Sequence, residues 1–252
     1  MIIWSRLDLE NWANAILKDF LKESFEAFTP IDIDRLTTEY LGLKIQYETL
    51  SDELDIYGIS AFGDTNIELK RNGRIENIKV KANTILIETA LCSTALKGTR
   101  RFTVGHEAAH QILRRYEYQT VSMKDASQKI AFFKKESNEP SEIDWSEWQA
   151  NTLGAALIMP QRLIEECMFR FGDTSSITVY GKNQLNFDDS FLISNIKDFL
   201  GVSKTALLKR LEQLGYIEHK SIEEYYEIRT TERMKWLLWQ ERKAHLRPRK
   251  KI

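Results

Sequence analysis

Arg100-Arg101-Phe102-Thr103-Val104-Gly105-His106-Glu107-Ala108-Ala109-His110-Gln111-Ile112-Leu113 is the stretch on which the reading of this chain turns. On an α-helix, His106 and His110 stand one turn apart on a single face, where two imidazoles can grip one metal ion. Glu107 lies one step round, beside such an ion rather than on it. Two neutral nitrogens, a coordination position left to water and a carboxylate within reach of that water are what a zinc hydrolase needs. The same string also fits an ordinary amphipathic helix with two partly buried histidines, but the chain has four histidines in all and this stretch holds two of them. Val104, Ile112 and Leu113 supply the apolar positions, while Arg100, Arg101 and Thr103 give the helix a polar start that a hydroxyl can cap.

Two histidines do not hold zinc alone, so a third protein ligand is expected on another segment. Glu147 leads the candidates. It lies in Ser146-Glu147-Trp148-Gln149-Ala150-Asn151-Thr152-Leu153-Gly154-Ala155-Ala156-Leu157-Ile158-Met159-Pro160, where Glu147 and Asn151 share one helical face. Ala150, Gly154 and Ala155 have almost no side chain and allow a close approach to the first helix. Asn151 is then placed to hydrogen-bond a ligand and orient it. Glu142 and Asp144 are nearby rivals.

These two segments, Arg101-Phe102-Thr103-x-x-His106-Glu107-x-x-His110 and Glu147-x-x-Ala150-Asn151 followed by Leu157-Ile158-Met159-Pro160, resemble the ImmA/IrrE family of zinc metallo-endopeptidases. The resemblance extends through Thr29-Pro30-Ile31-Asp32-Ile33 and Leu41-Gly42-Leu43 upstream. Downstream it includes Phe199-Leu200-Gly201-Val202-Ser203, Ala206-Leu207, Arg210-Leu211 and Leu214-Gly215, so that it spans roughly residues 8 to 218. It implies one zinc ion held by His106, His110 and Glu147, with Glu107 as general base. It also implies a protein substrate, typically a helix-turn-helix repressor of a phage or mobile element, whose cleavage relieves repression. The chain departs from the family pattern at Ala109, where Gly is common, at Gln149, where a second acid is common, and at Gly154, where an aromatic is frequent. The missing second acid makes Glu147 the natural third ligand.

The 252 residues carry a net charge of -1 and are 42% hydrophobic, enough to bury a core in one domain or in one domain with a small appendage. No apolar run of 18 residues occurs, and Met1-Ile2-Ile3-Trp4-Ser5-Arg6 lacks the pattern of a signal peptide, so a soluble cytoplasmic protein with no membrane contact is expected. Cys92 and Cys167 stand in no metal or redox spacing and read as small buried or half-buried hydrophobes.

Leu9, Trp12, Ala13, Ile16, Leu17 and Phe20 predict an amphipathic first helix. A second is expected from a Thr29 cap and Pro30 through Ile33, Leu36 and Tyr40 to Gly42. Leu43 to Tyr47 alternates as a half-buried strand, and residues 56 to 90 continue in strand character around an Asn72-Gly73 hairpin turn. A small antiparallel sheet against the motif helix follows, with an edge able to receive an extended peptide. Residues 114 to 144, with Pro140 near the end, form a long polar connection expected to be a lid or a mobile loop. Tyr116 and Tyr118 lie just beyond the motif helix, in reach of an oxyanion role, but read better as packing residues.

A helix with Leu163, Ile164, Cys167 and Met168 should close the region at Gly172-Asp173. Residues 191 to 211 then form a helix-turn-helix pattern about Gly201, with Lys204, Lys209 and Arg210 on the second helix, as on a recognition helix. Eight lysines and arginines against one glutamate give +7 over residues 233 to 252, with Trp236 and Trp239 interleaved. The expected fold class is α+β: a mostly helical zincin-like metallopeptidase domain over residues 1–175, a helix-turn-helix-like helical subdomain over 176–218 and a basic C-terminal helix or tail over 219–252. The competing reading is a non-proteolytic regulator that uses the zinc fold as a scaffold and binds DNA or a protein partner through its C-terminal part.

Overall fold

Ser5 and Asp8 start the first helix by exchanging bonds. The Ser5 hydroxyl accepts from the Asp8 N–H at 3.2 Å and the Asp8 carboxylate accepts from the Ser5 N–H at 3.1 Å, opening α1 (Arg6–Leu21). Leu9, Ala13 and Leu17 fall on one face of it and are buried, as their spacing predicts. The computed structural model describes residues 2–120, 130–134 and 144–245, with the backbone alone for 118–120, 130–134, 232 and 235–245. Among the described residues no helix is long and apolar enough to cross a membrane.

The second helix starts later than expected. Asp32, not Thr29, is its cap, accepting from the Arg35 N–H at 3.0 Å, and α2 (Ile33–Arg35) runs on as one π turn, Leu36–Tyr40. An ionised carboxylate at this position outcompetes a hydroxyl for the orphan donors of the first turn. Five strands follow: β1 (Lys44–Glu48), β2 (Ile56–Ala61), β3 (Thr65–Arg71), β4 (Arg74–Val80) and β5 (Thr84–Glu88). Asn72 and Gly73 both have positive φ, 52° and 71°, and close the β3–β4 hairpin as their type predicts.

The motif helix is α3 (Lys97–Thr120), which begins before Arg100 and continues past residue 114, so part of the expected connection is helical. Within the rest of that connection lies β6 (Ile130–Lys134), while 121–129 and 135–143, including Pro140, fall outside the described residues. The main sheet has the order β1-β5-β2-β6, and it is mixed rather than antiparallel: β1 runs parallel to β5, and β2 runs antiparallel to both β5 and β6. The reason lies in β5, which is buried at all five positions and needs a neighbour on each edge. Against β6, Ile56 pairs with Lys134 and Gly58 with Phe133, so Tyr57 is the extra residue of a bulge.

α4 (Trp145–Ile158) and α5 (Gln161–Gly172) come next, the latter ended by Asp173 in the left-handed region. A second small sheet joins β7 (Ile177–Tyr180), β8 (Gln184–Leu185) and β9 (Ile217–Lys220), around α6 (Phe187–Leu200) and α7 (Lys204–Gln213), and α8 (Ile222–His245) follows. The basic residues beyond His245 lie outside the described residues, as do the side chains of Trp236 and Trp239. One apolar core runs from Leu9 of α1 through Val104 of α3 and Leu157 of α4 to Ile193 of α6 and Leu207 of α7. Cys167 belongs to it, and burial pushes its thiol up to about 12, whereas Cys92 is exposed and does not share the expected buried environment.

Arg210 is not on an outer face either. It is fully buried; its Nε donates to the Met159 carbonyl at 2.9 Å and its Nη2 to Glu10 Oε2 at 2.8 Å, the second Glu10 oxygen being taken by Nη1. Of the three cations expected on a recognition surface, only Lys204 and Lys209 are exposed. Removing one partner of such a pair strands a charge away from water. We expect Glu10→Ala to cost about 3–5 kcal/mol in urea denaturation, and the paired change Glu10→Leu with Arg210→Met to recover most of it.

Candidate metal centre

α3 and α4 cross with their backbones in contact. A Cβ on Gly154 would stand 3.0 Å from the Gly105 carbonyl group and from His106 Cα, and one on Gly105 would stand 2.5 Å from Ile158 Cδ1. The aromatic frequent at the Gly154 position in the family pattern has no room here. At this approach Glu147, in the first turn of α4, spans both histidines: Oε2 lies 3.2 Å from His106 Nε2 and Oε1 lies 3.0 Å from His110 Nε2. The two Nε2 atoms are 3.0 Å apart. The three residues form the one group of metal-ligating type among the described residues, with a ligand atom from each within 4.8 Å of the others.

That spacing suits a single ion. In a tetrahedral zinc site with nitrogen and oxygen ligands at about 2.0–2.1 Å, neighbouring ligand atoms stand about 3.3 Å apart. Asp144, a rival on sequence grounds, is spent as the cap of α4, its Oδ1 accepting from the Ser146 N–H at 2.9 Å and the Glu147 N–H at 3.2 Å. It thereby fixes the turn that carries Glu147. Glu142 lies outside the described residues. Asn151 Oδ1 stands 3.0 Å from His106 Nδ1, so the amide oxygen accepts from a protonated Nδ1 and leaves the Nε2 lone pair facing Glu147.

Burial and pairing set distinct protonation states. His106 is fully buried, and desolvation pulls it down to about 4, which favours the neutral imidazole a metal needs. Burial alone would raise Glu147, but the His106 and His110 imidazoles that it spans outweigh that and carry it down to about 2. Desolvation also works against charge on His110, yet Glu147 and Glu107 leave its pKa raised. Glu107 is fully buried, the nearby Ser60 hydroxyl being given to its backbone carbonyl and neither carboxylate oxygen having a well-aligned partner, and desolvation lifts it to about 7 against the opposing influence of His110 and Ser60.

What covers Glu107 is β2. A Cβ on Gly58 would fall 2.5 Å from Glu107 Oε1 and 2.8 Å from Thr103 Cγ2. Two buried bonds pin the strand to the helix: Ser60 Oγ donates to the Glu107 carbonyl at 3.0 Å and Gln111 Nε2 to the Ala61 carbonyl at 3.1 Å. Sequence reasoning missed Gly58, Ser60 and Gln111. The available signal was a glycine inside the apolar run Ile56–Ala61, which marks close backbone approach. Tyr116 packs against Trp4 and Trp12, with ring centroids 5.2 and 4.4 Å away, while the Tyr118 side chain is outside the described set. Gln149, standing where a second acid is common, accepts from the Trp4 N–H at 2.7 Å and ties the N-terminal segment to α4.

Two imidazoles and a carboxylate converging from two crossed helices, with a further dry carboxylate alongside, make this a metallohydrolase type of site in an α+β domain. Residues 90–212, just under half of the chain, match the family model Peptidase_M78, described as the IrrE N-terminal-like domain. Over this segment, which contains His106, Glu107, His110 and Glu147, the chain is similar to the ImmA/IrrE family of metallopeptidases. No curated protein matches it.

The packing of Gly58 on Glu107 is testable without a substrate. Gly58→Ala should destabilise by about 1–3 kcal/mol through overpacking. In the double variant with Glu107→Ala the part of that loss due to the carboxylate should vanish while the Thr103 clash remains, giving a coupling energy in a urea-denaturation cycle smaller than the single-variant loss but above about 0.5 kcal/mol.

Proposed function

We propose that this protein is a zinc-dependent endopeptidase in which His106, His110 and Glu147 hold the ion and Glu107 is the general base. The observation that carries this reading is a fully buried carboxylate with no hydrogen-bond partner beside three converging ligand atoms. Leaving a buried acid unsatisfied costs about 1–3 kcal/mol, which a purely structural metal site has no reason to bear. Zinc bound there supplies a Lewis acid that makes water acidic near neutral pH and polarises a carbonyl. Glu107, with its own pKa raised to about 7, takes the proton of the attacking water and returns it to the leaving amine. Asn151 holds the His106 ring in place, and the cap at Asp144 holds the turn that bears Glu147.

The family resemblance supports a specific regulatory protein as substrate, such as a helix-turn-helix repressor of a phage or mobile element. Elemental analysis of the purified chain should give near-stoichiometric zinc, lost in His106→Ala and in Glu147→Ala and retained in Glu107→Gln. Incubated with repressors encoded beside its gene, the parent should cut one of them at a defined bond, and Glu107→Gln should slow that cut by about 10²–10⁴-fold. A parent that takes up no zinc after incubation with it would sink the reading. Asn151→Ala should keep the site but weaken its zinc affinity by about 10–100-fold in competition with a chelator.

A further inference from the structure

Beside the metal centre lies a cavity of about 620 Å³ between α3, α4 and α7. Tyr57, Phe102 and Trp148 line it together with Ala155 of α4 and Ala206 of α7, and polar residues including Lys209 and Gln213 also border it. Asn151 lines it too, and Asn151 is the residue that holds His106, so the cavity and the metal centre share a wall. From these observations, and resting on the peptidase reading above, we propose that this cavity receives a large apolar side chain, aromatic by preference, from a substrate residue next to the scissile bond, and that α7 thereby sets cleavage specificity.

Three features support it. The first is chemistry: three aromatic side chains face a space large enough for another, and ring pairs gain beyond simple area burial. The second is strand geometry. Gly58 packs on Glu107 while its neighbour Tyr57 lines the cavity, and Tyr57 is the residue that the bulge adds to β2. Bulges re-aim side chains beside active sites, and this one gives one strand both tasks: covering the general base and shaping the adjoining wall. The third is the docking of α7. Its N-terminal turn rests on the start of α3, where a Cβ on Gly98 would meet Ser203 N at 2.7 Å, and Arg210 anchors its other end to Glu10 and Met159. The wall that α7 presents is therefore rigidly placed relative to His106.

The test uses the zinc-loaded full chain and small peptide hydroxamates, which chelate zinc, in two series with a benzyl group or only hydrogen on either side of the chelator. In calorimetric titrations one benzyl compound should bind about tenfold or more tightly than its unsubstituted counterpart. Ala206→Trp, which fills the cavity, should bring the two within about twofold at unchanged zinc content, and the milder Ala206→Leu should narrow the gap in the same direction. Equal binding of the benzyl and unsubstituted compounds by the parent, or a preference that survives both substitutions, overturns the cavity's role and leaves the metal reading intact. Binding of no hydroxamate at all overturns both.

Discussion

Two backbones touch where Gly105 of α3 meets Gly154 of α4, and the positions of the ligand atoms follow from that contact. A glutamate carboxylate reaches only a few ångströms from its own helix, and packed helices usually stand 8–10 Å apart axis to axis, depending on the side chains between them. With a side chain at Gly154 the helices would part, and Glu147 would draw away from His106 and His110 together, whereas one at Gly105 would first displace the Ile158 side chain. The cap at Asp144 completes the constraint, because it fixes which residue of α4 falls in the first turn, the turn that faces the histidines. Both devices act on the backbone. The site is thus built first by placing two helices, and the Asn151 bond to the His106 ring then orients a side chain already in position.

Dryness does the rest. The β2 strand lies over Glu107, and His106, Glu107 and His110 are buried while the Glu147 side chain is 31% exposed, so desolvation falls on the motif helix first. The same desolvation acts differently on each group according to its partners. Desolvation holds the His106 imidazole down to about 4, the two imidazoles that Glu147 spans hold its carboxyl down to about 2, and Glu107, which faces a strand instead, is lifted to about 7 by burial. Separation of pKa values among neighbouring titratable groups is how roles are divided in acid–base sites. Here the division comes from geometry alone: whether a carboxylate points at the histidines or at a glycine in a strand.

What was legible in the sequence was what depends on short spacing. His106, Glu107 and His110 on one helix, Glu147 and Asn151 on one face of a small-residue helix, the α1 core positions and the Asn72-Gly73 turn all follow from local periodicity or turn chemistry. What was not legible depends on distant partners. Nothing in Lys44–Glu48 says that it will lie parallel to a strand forty residues on, and nothing in Ile56–Ala61 says that it will cover Glu107, though Gly58 hinted at some close approach. The cap at Asp32 was local and still misread, because Thr29-Pro30 offered an equally familiar helix start three residues earlier. Cys92, read as a small hydrophobe, proved exposed because no periodic pattern governs the short 3₁₀ turn that carries it.

Arg210 shows how far a local reading can mislead. On its own helix it completes a basic trio with Lys204 and Lys209, and the pattern suggests a surface for DNA. In the fold its charge is neutralised by Glu10, two hundred residues away in sequence, and its Nε is used by the last carbonyl before Pro160. A guanidinium removed from water is tolerable only while such partners stay in place. Separating α7 from α1 and α4 would therefore expose or orphan that charge at the same moment as it opened the apolar core of Leu207 and Leu211. The inner face of α7 is thus committed to the body of the protein, where it walls the cavity that Asn151 also lines, and of its three cations only the outward-facing lysines are left at the surface.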